Sequence, residues 1–303
     1  MGVTLDRSGQ FYFYCVQDFT AFRSLHYKFS YFKEVKMPAT YAILGGTGAT
    51  GSELISYLLN RQPFVHLNIY VRSVSKLYSL FPDLQTSPNV TIFTGTIDET
   101  PVLASCIRSA TAIFCTIAQN ENEPGCSLSQ RTALAVVLAL TQLRSESAHP
   151  STYTAPPLVW PSGALLNPAF DKRIPAAMRA VALRAAFHVL QDCGLAAEYL
   201  RGFQWIPVSF WQPGPIVKDE ARGVSLTADE GFDVISYADV ARGIVKIVEE
   251  DDGMWIGKEV GFVALGGKKV KSLPPSTFVW VLVGLLGYYM PSLWRVGRKM
   301  GLW

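Results

Sequence analysis

From Tyr41 onward, short apolar runs alternate with segments whose apolar residues recur at helical spacing. YAILG (41–45), LNIYVR (67–72), VTIFTG (90–95), AIFCTIA (112–118) and LVWPSG (158–163) are rich in branched and aromatic residues. Turn-forming residues bound them, which predicts strands. Between them, Ser52–Arg61, Ser75–Phe81, Pro101–Ser109 and Leu128–Arg144 read as helices. This rhythm predicts an α/β fold, doubly wound, with a mostly parallel sheet and helices on both faces. Right-handed crossovers set the C-terminal ends of all such strands on one edge, where ligands bind.

Beyond Ser162 the rhythm loosens. NPAFDKRIP reads as a loop, and Ala176–Asp192 as one long helix stopped near Cys193 and Gly194. Leu195–Arg201 reads as a second helical piece, WIPVSFW as a strand, and QPGPIVKDEARGVSLTADEGFDV as mostly loop. Tyr237–Glu250 is an amphipathic helix, with Asp239 placed to complement its positive N-terminal end. Asp171–Leu200 and Val217–Trp303 are expected to build a small C-terminal substrate lobe on the main sheet.

The two ends differ from the middle. Residues 1–36 are dense in aromatics but interrupted by charge, and lack the apolar core of a secretory signal. They read as a loosely docked extension, or as residues preceding a native start at Met37. Residues 37–272 form the main domain, and residues 273–303 an apolar, then basic, segment. The uncharged run Ser276–Trp294 is broken by Gly284, Gly287 and Pro291 and falls short of the roughly 20 apolar residues a spanning helix needs. It suits a helix packed over the substrate pocket, or contact with a membrane surface through Arg295, Arg298 and Lys299.

Composition narrows the function classes. The chain has 303 residues, 49% hydrophobic and 17% charged, enough to bury a substantial core. A formal charge of +3 without basic blocks gives no support to nucleic-acid binding. The five cysteines and four histidines are scattered, without metal-ligand spacing or a disulfide pattern, which fits a reducing cytoplasm.

The chemistry begins at GGTGATG. Gly46, Gly48 and Gly51 satisfy G-x-G-x-x-G, and Gly45, Gly48 and Gly51 satisfy G-x-x-G-x-x-G. The motif sits between a predicted strand and a predicted helix, the context in which glycines permit a tight turn, close phosphate approach and close helix packing. A dinucleotide pyrophosphate would meet free amides at the helix start near Ala49. The second strand ends in Arg72, where an acidic residue would favour NAD; a planar guanidinium there suits a 2′-phosphate and so NADP.

GGTGATG, IYVRS, the segment AIFCTIAQNENEPG, the QPG after WIPVSFW, and YADVA together resemble atypical short-chain dehydrogenases of the NmrA-like branch. Within that branch the chain is most similar to the fungal averufin oxidase family, from about Met37 to beyond Lys271. The resemblance implies an NADP-type Rossmann oxidoreductase acting on aromatic polyketides, such as anthraquinones and xanthone precursors. By position it implies that Gly45, Gly48, Thr50 and Gly51 cradle the pyrophosphate and that Arg72 meets the adenosine phosphate. Asp98 would lie beside the adenine, Thr116 and Ala118 along the ribose path, and Gln212 and Gly214 near the nicotinamide.

One departure matters. Short-chain dehydrogenases use Y-x-x-x-K, and no tyrosine here has lysine four residues on. Ser162, at the end of the fifth strand, is a candidate to bond a substrate carbonyl. His188 is a candidate general acid or base, and Lys172 a candidate to steady a phenolate. Three readings stay open: hydride transfer to or from a hydrophobic aromatic substrate, a redox-sensing NADP-binding protein, and a cofactor-independent cyclase or isomerase.

Overall fold

The computed structural model describes residues 2–5, 11–14, 39–61, 65–170, 172, 174–265 and 275–303. The chain divides after Met37 into two compact units. In the first, β1 (Gly2–Leu5) and β2 (Phe11–Tyr14) pair antiparallel. The start at Met37 lies outside the described residues, as do Asp171 and the boundary at residues 272 and 273.

The second unit is built on an eight-stranded sheet. Its strands in chain order are β3 (Thr40–Leu44), β4 (His66–Val71), β5 (Val90–Thr94), β6 (Ala112–Cys115), β7 (Leu158–Pro161), β8 (Val208–Gln212), β10 (Val224–Thr227) and β12 (Glu259–Ala264). Their spatial order is β10-β12-β8-β7-β6-β3-β4-β5. Every neighbouring pair is parallel except β10 with β12. β9 (Ile216–Val217) and β11 (Ile235–Ser236) form a separate short parallel pair.

Strands covered on both faces must be apolar throughout, and Ala112–Cys115, Leu158–Pro161 and Val208–Gln212 are buried at every position. On one face α3 (Thr100–Ile107), α4 (Leu128–Glu146) and α6 (Phe187–Arg201) pack Leu103, Val136, Leu140, Ala196 and Leu200 against Trp160 and Phe210. On the other, α1 (Ala49–Arg61), α2 (Val74–Leu80) and α7 (Tyr237–Glu249) pack Leu54, Leu58, Leu77 and Ile244 against Phe114 and Phe262. The chain winds outward from β3 through β4 to β5, then crosses to the other side of β3 at β6. That reversal sets the loops after β3 and β6 side by side, the place on such sheets where ligands bind.

Three local readings change. The helix break falls at Ala186, not at Gly194, so α5 (Ala176–Ala185) and α6 are the actual segments. The Asn122 side chain accepts the backbone N–H groups of His188 (2.7 Å) and Val189 (3.4 Å), starting a new helix there, while Gly194 continues inside it. β10 lies within the stretch read as loop, and β12, with Val260 and Phe262 fully buried, was not anticipated. β10, α7 and β12 belong to the main sheet and its cover, and α6 to its core. The lobe outside the sheet is therefore narrower: α5, the β9–β11 pair, α8 (Ser276–Tyr289) and α9 (Pro291–Lys299). Among the described residues, no helix is long and apolar enough to cross a membrane.

Candidate active site

The glycine turn lies at the C-terminal end of β3, with its amides around the start of α1. Gly45 has a φ of 96°, in the region only glycine adopts without strain. Its N–H donates to the Tyr70 carbonyl (3.1 Å), and its own carbonyl accepts from Gly48 N–H (3.1 Å). A Cβ on Gly51 would stand 2.3 Å from the Gly45 oxygen, so only glycine lets α1 approach β3 this closely. A Cβ on Gly46 would meet Ile69 and Ile55.

Gly48 is different. It is exposed, and a Cβ there would meet nothing nearer than 3.5 Å. Packing inside the protein does not demand a glycine here. The side of the turn at Gly48 is therefore open to a group from outside. Gly48 immediately precedes α1 and has no side chain to cap it. The first amides of α1 therefore keep their donors, in a positive field that favours an anion. Thr50, in that first turn, is buried.

The second loop is bolted to the first. Thr116 N–H donates to the Leu44 carbonyl (2.9 Å), and its hydroxyl contacts the carbonyls of Leu44 (2.9 Å) and Gly45 (3.2 Å). Thr116 thus holds the glycine turn in shape. Ala118 follows it, half-buried. Arg72, just past the end of β4, is exposed and has no ion-pair partner among the described residues. Ser73 beside it caps α2 by accepting Lys76 N–H at 3.2 Å. Asp98, in the loop after β5, is exposed and ion-paired with Arg131 of α4.

Tyr70 reinforces the same edge, donating to the Thr96 carbonyl at 2.7 Å. Burial, then the nearby Glu99 carboxylate, pushes its phenol up to about 12. It is a structural donor at neutral pH, not an acid catalyst. Burial likewise pushes the Cys115 thiol up to about 12, so it stays a thiol.

Further along the edge lies a polar chain. Gln212, buried, donates through Nε2 to Ser162 Oγ (3.4 Å), and its Oε1 accepts from Asn167 (3.1 Å). Asn167 also donates to Glu259 (2.7 Å), which is ion-paired with Arg201. Ser162 N–H is held by the Trp211 carbonyl (3.0 Å), so the serine is fixed at the end of β7. Because Gln212 donates to it, the Ser162 hydroxyl proton remains to be offered elsewhere. Gly214 abuts the backbone of Phe232 and Asp233, where a Cβ would clash at 2.6 Å.

The three catalytic candidates are not joined. No hydrogen bond or ion pair links Ser162, His188 and Lys172 among the described residues. Lys172 is exposed. The His188 ring lies edge-on to Phe187, and its Nε2 is 3.3 Å from the Gly287 carbonyl of α8. The histidine is engaged by the C-terminal helices.

Those helices cover the loop after β6 through contacts the sequence reading did not anticipate. Asn122 Nδ2 donates to the Gly284 carbonyl (2.9 Å) and the Arg184 carbonyl (3.4 Å). Trp280 Nε1 donates to the Asn120 carbonyl (3.0 Å), and Arg298 pairs with Glu121 at 2.6 Å. The NEPG stretch was the available signal, but its role lies in four backbone partners distant in sequence. Asp192, also unforeseen, accepts the Ser129 (2.8 Å) and Gln130 (3.1 Å) amides at the start of α4.

A mostly parallel sheet, a glycine turn leading from its first strand into a helix start and a chain reversal beside that turn are the features of a dinucleotide-binding Rossmann protein. The chain belongs to the NAD(P)H-binding family, whose profile matches residues 45–251. It is 34% identical over 257 residues to oxidoreductase nsrR of Aspergillus novofumigatus, covering 84% of this chain and 95% of that protein. It is also 34% identical over 263 residues to oxidoreductase stcQ of Emericella nidulans, covering 86% and 94% respectively. Among solved structures, a short-chain dehydrogenase/reductase from Veillonella parvula in complex with NADP aligns with a TM-score of 0.59 and 19% identity. It covers 76% of this chain and 96% of that one, a likeness of fold. The protein is an NAD(P)-dependent oxidoreductase.

Proposed function

We propose that this oxidoreductase is a cytoplasmic member of the averufin oxidase-like branch. It transfers hydride between NADPH and an anthraquinone- or xanthone-type polyketide of fungal secondary metabolism. The observation that carries the choice of cofactor is Arg72, just past the end of β4, exposed and without an ion-pair partner among the described residues, where a 2′-phosphate would lie. When bound, the nicotinamide supplies or accepts the hydride. Gly45, Gly48, Thr50 and Gly51 receive the pyrophosphate, with Thr116 bracing the turn and Ala118 beside it. Asp98 lies on the adenine side, while Gln212 and Gly214 border the nicotinamide side.

Ser162 offers its hydroxyl to the substrate oxygen, oriented by Gln212. A hydroxyquinone accepts hydride readily, so one hydrogen-bond donor suffices without a tyrosine–lysine pair. His188 and Lys172 are the further candidates for moving the proton. The hydrophobic aromatic substrate is supported by the half-exposed aromatic patch of Phe187 against Tyr288, with ring centroids 5.1 Å apart, beside His188.

Purified protein is mixed with NADPH or NADH and a panel of hydroxyanthraquinones, and the nicotinamide absorbance is followed. Turnover with NADPH, reduced roughly 10²-fold or more in kcat by Ser162→Ala, is the expected result. Tight NADPH binding without turnover across the panel would contradict the substrate class. Product formed without nucleotide would contradict hydride transfer.

A further inference from the structure

The C-terminal helices show two faces. On α8 the inward face is made of glycines: a Cβ on Gly284 would stand 2.1 Å from the Ala185 carbonyl, and one on Gly287 2.7 Å from the Asn122 carbonyl. Phe278, Leu282 and Tyr289 recur at i, i+4 and i+11, on the side opposite those glycines. They are 70%, 66% and 64% exposed. On α9, Trp294 and Gly297 are buried, and the outer side divides into two flanks. One carries Leu293, Val296 and Met300, all more than half exposed. The adjoining flank carries Arg295 and Lys299, exposed and without ion-pair partners among the described residues. Met178 and Val181 of α5, which packs on α8, extend the apolar area.

Charge decides what this face meets. None of the chain's 24 acidic residues lies in α5 or in residues 276–303, while Arg179, Arg184, Arg295, Arg298 and Lys299 do. Arg298 is paired with Glu121, but Arg295 and Lys299 have no ion-pair partner among the described residues, and an apolar surface carrying such cations is complementary to an anionic interface. A second copy is a poor occupant, because the same face on both partners carries cations and no acidic residue of α5 or of residues 276–303 to pair with them. Spanning is excluded by length: 14 residues of α8 reach roughly 21 Å, against about 30 Å of hydrocarbon. Asn122, Trp280 and Arg298 already hold the helices against the body, so the face meets its partner without a folding cost.

We infer that α8 and α9, with the exposed side of α5, dock this protein on an anionic lipid surface. The helices lie in the plane of the interface, and Arg295 and Lys299 face the headgroups. This inference does not rest on the substrate reading: it uses the outward side chains Phe278, Leu282, Tyr289, Leu293, Arg295 and Lys299, none of which is given a part in binding coenzyme or substrate.

Flotation of the full chain with vesicles tests it, using phosphatidylcholine alone and phosphatidylcholine with phosphatidylserine in roughly a 2:1 ratio. Binding to the anionic vesicles and little to the neutral ones is expected. Arg295→Gln with Lys299→Gln should weaken binding about 25-fold, roughly fivefold per cation near a charged surface. Leu282→Glu should abolish it. Calorimetry of coenzyme binding and thermal melting serve as controls; both should be unchanged in these surface variants. Failure of the full chain to float with anionic vesicles would overturn the inference. So would binding that both sets of substitutions leave intact, or a concentration-dependent dimer in solution that Leu282→Glu dissolves.

Discussion

Gly48 and Gly51 occupy the same turn for opposite reasons, and alanine at each position separates ligand approach from packing. At Gly48 the new methyl would find its nearest neighbour 3.5 Å away, an ordinary contact, and the backbone there has no positive φ. Restricting the unfolded chain favours alanine by about 0.4–1 kcal/mol, and alanine's poor fit before a helix offsets that by a similar amount. Net stability should therefore change by less than about 0.5 kcal/mol. At Gly51 the methyl would stand 2.3 Å from the Gly45 carbonyl and 2.8 Å from the Thr116 hydroxyl. Relieving that overlap moves α1 outward by about 1 Å, at a cost of roughly 1–3 kcal/mol. In a domain of this size that lowers the melting temperature by roughly 3–9 °C. Coenzyme affinity should fall in both. In Gly48→Ala it should fall roughly 10- to 100-fold, the loss of one charge-assisted hydrogen bond to phosphate. Differential scanning calorimetry and isothermal titration with NADPH and NADH report the two quantities separately. A Gly48→Ala protein that binds coenzyme normally would refute the assignment of the turn as a phosphate cradle. A Gly51→Ala protein that melts like the parent would refute the packing argument.

Other consequences can be measured independently. Arg72→Asp should weaken NADPH binding at least tenfold more than NADH binding, because only NADPH carries the phosphate this guanidinium would grip; equal losses would contradict NADP preference. Asn122→Ala strips acceptors from the His188 and Val189 amides and a donor from the Gly284 carbonyl. Stability should fall by about 2–4 kcal/mol in urea titration, with faster proteolysis in α8; an unchanged midpoint would show that α8 is held by other contacts. Alkaline stability follows from Cys115 and Tyr70, whose folded forms keep their protons up to about 12 against ordinary values of 9.0 and 10.0. Both are neutral when protonated, so their contribution is complete below pH 9 and lost as pH rises toward 12. A melting temperature that stays level across that window would contradict their burial.

The sequence alone determined what depends on neighbours along the chain. Strands β3 to β8 were legible because buried parallel strands need continuous apolar runs. The helices between them were legible from their periodicity, and the glycine turn because its geometry tolerates few other residues. The position of Arg72 was readable too, since it follows its strand directly. What only the tertiary structure decided involves partners far apart in sequence. The break at Ala186 depends on a side chain 64 positions earlier; local propensity placed it at Gly194, which in the fold meets nothing closer than ordinary contact. β12 contains Gly261, and only pairing with β8 and β10 gives it a reason to extend. The polar chain from Ser162 through Gln212 and Asn167 to Glu259 joins three separate segments, so no motif could announce it. Likewise, Gly284 and Gly287 interrupt an apolar run as if to break a helix, yet they are the surface by which α8 meets the body. Backbone turns and periodic burial are written locally, whereas hydrogen bonds between distant segments exist only once the sheet has brought those segments together.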